Sequence, residues 1–227
     1  MKRDNLLIAG ICGALFLVLI ILLKTVDVAA IGPQGTEVGL STLNGWAHGF
    51  FGEHDAMYKV SKYLGYLVFL TAFLMAAMGA VQLIRRRSIR RVDRRLLFLA
   101  GLYVLTMVIY VIFEFVIINY RPVIMPDNTV PEASFPSSHS MLAVVIMGST
   151  PILLRSYIKD ETVLKGLTIF CYVLMVTVVF TRLLSGVHWL TDIIGGVLIG
   201  TALVSLYAFM IQKLEDYKAQ RRQKAHS

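Results

Sequence analysis

Six long stretches of this chain carry no charged residue: 6–23, 63–84, 96–113, 140–154 with apolar residues reaching back to Phe135, 166–181 and 193–212. Most approach the roughly 20 residues that a helix needs to cross a hydrocarbon core, and the shorter ones extend past a single polar residue near the interface. A backbone inside lipid must satisfy its own hydrogen bonds, and runs of this length do so as helices. With 57% hydrophobic and only 16% charged residues, the chain has too much apolar surface for a water-soluble domain. The expected fold is all-α: a six-transmembrane helical bundle forming one integral membrane domain over residues 1–227.

The basic residues set the expected orientation. With a cytoplasmic N-terminus, the cytoplasmic segments hold Lys2 and Arg3, the cluster from Arg85 to Arg95, then Arg155, Lys159 and Lys165, and finally Lys213, Lys218, Arg221, Arg222 and Lys224. The other side holds only Lys24, Lys59, Lys62, Arg121 and Arg182. This asymmetry places both termini in the cytoplasm. The net charge of +8 is then a matter of topology and anionic headgroups, and no nucleic-acid partner is expected.

The first run has the basic start of a signal peptide, and Val28-Ala29-Ala30 resembles a weak cleavage site. At 18 residues it exceeds a usual signal core, so an uncleaved helix is expected. Residues 24–62 form the longest external segment. Within it Leu43, Trp46, Phe50 and Phe51 alternate with His48, Glu53, His54 and Asp55, the pattern of a helix lying in the outer interface. The histidines and acids there match no strong metal signature. Cys12 and Cys171 fall inside apolar runs, where free thiols behave as small hydrophobes.

Charged and polar residues at the ends of such runs are costly and point to a site. Glu114 and Arg121-Pro122 follow the third run, and Pro136-Ser137-Ser138-His139 opens the fourth, with Pro136 and Ser137 suited to a helix start. Arg182 closes the fifth run, and His188 and Asp192 open the sixth across a turn at Ser185-Gly186. An alternating count of spans puts Arg121, His139, Arg182 and His188 on the same, extracytoplasmic side. His188 and Asp192 are four apart, so a carboxylate can hold one ring nitrogen while the other faces a substrate. Fixed cations, a nucleophilic imidazole and an orienting acid are what phosphoryl cleavage requires.

These residues resemble the motifs of the type 2 phosphatidic acid phosphatase family. That family carries lysine, six residues, Arg-Pro; then Pro-Ser-Gly-His; then Ser-Arg, five residues, histidine, three residues, aspartate. Here the motifs read Glu114 to Arg121-Pro122, Pro136-Ser137-Ser138-His139, and Thr181-Arg182 to His188 to Asp192, and the resemblance runs over about residues 55–210. Its compact form is similar to bacterial phosphatidylglycerophosphate and undecaprenyl diphosphate phosphatases.

The resemblance implies catalytic roles. His188 attacks phosphorus and becomes a phosphohistidine, while Asp192 orients its ring. His139 protonates the leaving group and then activates water. Arg121 and Arg182 hold the nonbridging oxygens. Ser137, Ser138, Thr181, Glu114 and Gly186 complete the implied substrate-binding set. The implied scheme needs no cofactor and no metal, and the sequence has no carboxylate cluster suited to a two-metal phosphatase. The implied substrate is a lipid phosphate or diphosphate at the outer face of the plasma membrane. A lipid phosphotransferase using the same histidine, or a weakened relative that only binds or transports lipid, are the alternatives. Ser138 for glycine and Thr181 for serine are mild departures. Glu114 for lysine reverses a charge beside the expected phosphate and bears on substrate choice.

Overall fold

The computed structural model describes residues 2–125 and 128–226. Seven α-helices occur among them: α1 (Lys2–Thr25), α2 (Ser41–Phe51), α3 (Asp55–Arg86), α4 (Arg94–Phe115), α5 (Ser138–Leu154), α6 (Glu161–Leu184) and α7 (Leu190–His226). Five of them, α1, α3, α4, α6 and α7, are long and apolar enough to cross a membrane. The remaining apolar run forms α5, which is shorter at 17 residues.

α5 is short but central. Its residues Met141, Ala143, Val145, Met147, Ser149 and Leu153 are buried, whereas the long helices present apolar side chains outward, among them Leu17, Phe73, Val104, Phe115 and Val176. A helix that is apolar on all sides belongs inside a bundle, and outward leucine, valine and phenylalanine belong against lipid. The protein is therefore a multi-pass membrane protein with α5 enclosed by α3, α4, α6 and α7. One apolar cluster joins α3, α4, α5 and α7 through Met75, Leu99, Met141, Val145, Leu203 and Tyr207. A second joins α3, α5 and α6 through Val68, Met147, Cys171 and Val178.

Small residues let α5 and α7 approach closely. A Cβ at Gly196 would stand 2.7 Å from the Ser137 carbonyl oxygen and 3.1 Å from the Met141 amide, and one at Gly200 would stand 2.9 Å from the Val144 side chain. Close backbone approach of this kind is how helices associate in lipid, where apolar burial gives little preference between neighbours.

Two segments differ from the sequence expectation. α3 begins at Asp55, eight residues ahead of the uncharged run, so Lys59 and Lys62 lie on a helix rather than in a loop. Both are exposed, and their long stems let the ammonium groups leave an otherwise apolar surface. The segment expected as one interfacial stretch is broken at Gly52, whose φ of 70° ends α2. α2 buries Asn44 and Ala47 and exposes Leu43, Trp46 and Phe50.

At the end opposite the motif residues, Asp93 caps α4 by accepting from the Arg95 amide at 3.0 Å. It also accepts from the Tyr157 hydroxyl at 2.9 Å, and Arg95 reaches both Asp93 and Glu215. This network ties α4, the α5–α6 connection and α7 together.

Candidate active site

The loop between α6 and α7 is the centre of the site. Arg182 lies in the last turn of α6, His188 lies two residues ahead of α7, and Asp192 lies in the first turn of α7. All three are buried, at 2%, 3% and 0% exposure. Arg182 Nη2 is 3.4 Å from His188 Nε2, and His188 Nδ1 is 3.6 Å from Asp192 Oδ2. The carboxylate is held in turn by the Trp189 amide, which donates to Oδ2 at 2.9 Å, with Ser134 and Asn119 beside it.

Burial alone disfavours the imidazolium form of His188, and the positive charges of Arg182 and Arg121 and the nearby His139 add to that. Its pKa is therefore driven well below the ordinary histidine value. The ring stays neutral and keeps the lone pair that a nucleophile needs.

Arg121 and His139 come from two other elements. Arg121 follows α4, where its amide donates to the Glu132 carbonyl at 2.9 Å and its Nε lies 3.2 Å from Glu132 Oε2. His139 is the second residue of α5, whose start is set by Pro136 and Ser137 after a cis Phe135-Pro136 bond. The Ser137 amide donates to the Asp192 carbonyl at 2.9 Å, which locks the start of α5 to the start of α7. Arg121, Glu114, Ser138 and His188 line one cleft, together with Tyr110 and Phe113. Its free volume is about 20 Å³, the room of a single water.

Among the described residues, Arg182 Nε, Arg121 Nη1 and His139 Nδ1 are buried without a hydrogen-bond partner. Buried polar atoms are nearly always paired in proteins, and each exception asks for a reason. Three nitrogens of this kind, clustered around a neutral imidazole, have the character of an anion-binding site.

The other motif residues are engaged within the protein. Thr181 Oγ1 donates back to the Thr177 carbonyl at 2.7 Å. Ser137 is fully buried, and its hydroxyl accepts from Ser140 at 3.1 Å. Gly186 adopts φ 70° and packs against Gly52 and Glu53, while its carbonyl meets His48 Nε2 at 3.1 Å. None of the three is among the residues that line the cleft.

Sequence reading missed four residues that build the site. Tyr58 and Ser61 of α3 clamp Arg182: the guanidinium lies 5.4 Å from the Tyr58 ring, and Nη1 lies 3.5 Å from Ser61 Oγ. Asn44 of α2 donates to Thr191 Oγ1 at 2.9 Å and accepts from the Thr191 amide at 3.2 Å, so it caps α7 beside Asp192. Asn119 faces Asp192 and accepts from the Gly39 amide at 3.3 Å. A weak signal existed in the four-residue spacing of Ser61 and Gly65. Gly65 borders His139, since a Cβ there would lie 3.6 Å from the imidazole ring.

At one end of this helical membrane bundle Arg182, Asp192, His139 and Arg121 surround His188, and of these Arg121 and His188 line the cleft. Residues 114–216 match the PAP2 superfamily model, in keeping with the chain's resemblance to the type 2 phosphatidic acid phosphatase family. Its fold is similar to the crystal structure of the first transmembrane PAP2 type phosphatidylglycerolphosphate phosphatase from Bacillus subtilis. The TM-score is 0.62 at 21% identity, covering 90% of this chain and 96% of that one. No curated protein matches the sequence.

Proposed function

We propose that this protein hydrolyses a phosphomonoester or diphosphate of a lipid through a phosphohistidine at His188. The observation that carries the reading is the alignment of Arg182, His188 and Asp192, at 3.4 and 3.6 Å, next to a cleft that Arg121 also lines.

His188 Nε2 forms a bond to phosphorus as the bond from phosphorus to the lipid oxygen breaks, and His139 gives that oxygen a proton. Water then attacks phosphorus and yields its proton to His139. The phosphorus–nitrogen bond breaks, and its electron pair returns to Nε2. Arg121 and Arg182 carry the charge on the nonbridging oxygens, where positioning and electrostatics do most of the work. Asp192 stabilises the ring while it is positively charged.

The site is read as extracytoplasmic, in a plasma-membrane bundle of six spans with α5 as the short fourth one and both termini in the cytoplasm. α2 is read as lying in the outer interface with Trp46 and Phe50 among the headgroups. The reading rests on the distribution of basic residues. Phosphatidylglycerol phosphate, phosphatidate and undecaprenyl diphosphate are the candidate substrates. The first is supported by the activity named for the Bacillus subtilis structure.

The test is phosphate release from a panel of these lipids in detergent with chelator present, comparing wild type with His188→Ala. Release by wild type and its loss in the variant are expected. Equal release by both would overturn the mechanism, and dependence on an added lipid acceptor would make the enzyme a phosphotransferase.

A further inference from the structure

One carboxylate in the cleft has no part in phosphoryl transfer. Glu114 lies in the last turn of α4, is exposed, and lines the cleft with Arg121 and His188. Tyr110, one turn earlier on the same helix, lines the cleft beside it. The end of α4 is already electronegative, because the last carbonyls of a helix carry partial negative charge. Lys24 answers part of that charge, but its ammonium donates to the Ile117 and Ile118 carbonyls at 3.0 Å each.

Among the described residues, the charges around the cleft leave Glu114 without a cation once phosphate binds. Arg121 and Arg182 are needed by the phosphoryl oxygens, Asp192 faces His188, and Glu132 already competes for Arg121. A carboxylate sharing a small cleft with a phosphate dianion is repelled by it. The repulsion is relieved when the ligand brings its own cation. Tyr110 and Phe113 line the cleft with Glu114, and aromatic rings are compatible with such a cation.

We propose that Glu114 selects lipid phosphates that carry an ammonium group within a few bonds of the phosphoryl group. This rests on the phosphatase reading and sharpens its substrate class: the ligand is zwitterionic, its phosphoryl end held by the arginines and its ammonium end by Glu114.

The test uses the full chain in detergent and two lipids of equal chain length, a 2-amino-1-alkyl phosphate and its 2-hydroxy counterpart. At neutral pH they differ in one positive charge. Wild type is expected to favour the amine by about tenfold in kcat/KM, which corresponds to about 1.4 kcal/mol. Glu114→Gln brings the ratio near one, and Glu114→Lys inverts it. Because the readout is a ratio within each variant, loss of folded protein does not alter it. No preference in wild type, a preference for the hydroxy lipid, or a ratio unchanged in Glu114→Gln overturns the proposal. Turnover of other lipids in the panel with neither of these two also overturns it, while leaving the phosphatase reading intact. Release from no lipid, or equal release by His188→Ala, instead overturns the phosphatase reading itself.

Discussion

Arg182 Nη2 stands 3.4 Å from His188 Nε2, on the side of the ring away from Asp192. The guanidinium therefore stands at the nitrogen that the proposed mechanism makes the nucleophile, and its charge disfavours the imidazolium form. In the proposed mechanism the same cation then serves the phosphoryl oxygens. Its position comes from α3, an element that contributes nothing to the sequence motifs.

That dependence predicts a role for Tyr58 through its ring. Tyr58→Leu removes a cation–π contact of about 0.5–2 kcal/mol and leaves Arg182 free to shift. A fall of about tenfold in kcat/KM is expected, with Tyr58→Phe restoring most of it. Steady-state kinetics of both variants checks this, and indistinguishable rates for leucine and wild type would count against the clamp.

Asn44 joins α2 to α7 from a fully buried position. Asn44→Ala leaves the Thr191 amide unpaired, and a buried group left in that state costs about 1–3 kcal/mol. A lower melting temperature in detergent is expected, with kcat reduced more than KM is raised, because His188 and Asp192 flank Thr191. A variant that melts early but turns over normally would reduce Asn44 to a purely structural part.

The close approach of α5 and α7 gives a paired prediction. At Gly196 an added Cβ meets the Ser137 carbonyl oxygen at 2.7 Å, so Gly196→Ala separates the helices that bear His139 and Asp192. Overpacking of this sort costs about 1–3 kcal/mol. At Gly166 an added Cβ meets nothing within 4 Å, and alanine there favours the helix by about 0.5–1 kcal/mol. Thermal melting should move in opposite directions for the two variants.

His188 also couples stability to pH. Its pKa in the folded protein is depressed, first by burial and then by Arg182 and Arg121, so the unfolded chain binds a proton more readily. The stability contributed by the neutral ring is fully present above the unfolded value of about 6.5 and is lost as pH falls below it. Melting temperature should drop between pH 7 and pH 5 more steeply in wild type than in His188→Asn. Parallel slopes would show that His188 titrates normally.

Much of this site was legible because charge is conspicuous in an apolar sequence. Arg121, His139, Arg182, His188 and Asp192 each interrupt or border an apolar run, and counting helix ends sufficed to bring them together. Tyr58, Ser61 and Asn44 were not legible, since each acts across a large sequence separation, 121 residues for Ser61 to Arg182 and 147 for Asn44 to Thr191. The start of α3 was misplaced for a related reason: Lys59 and Lys62 looked like the edge of a membrane span, yet a helix carries such side chains outward without ending. α5 could be found but not ranked, because apolar length alone does not separate a helix that faces lipid from one that faces protein.

The most direct test of the account is to quench turnover of a lipid labelled at its phosphoryl group and map the label on the protein. The account predicts acid-labile, base-stable label on His188, increased in His139→Ala and absent in His188→Ala. Label retained in His188→Ala, or turnover by wild type with none trapped on His188 in either active or His139→Ala protein, would contradict it.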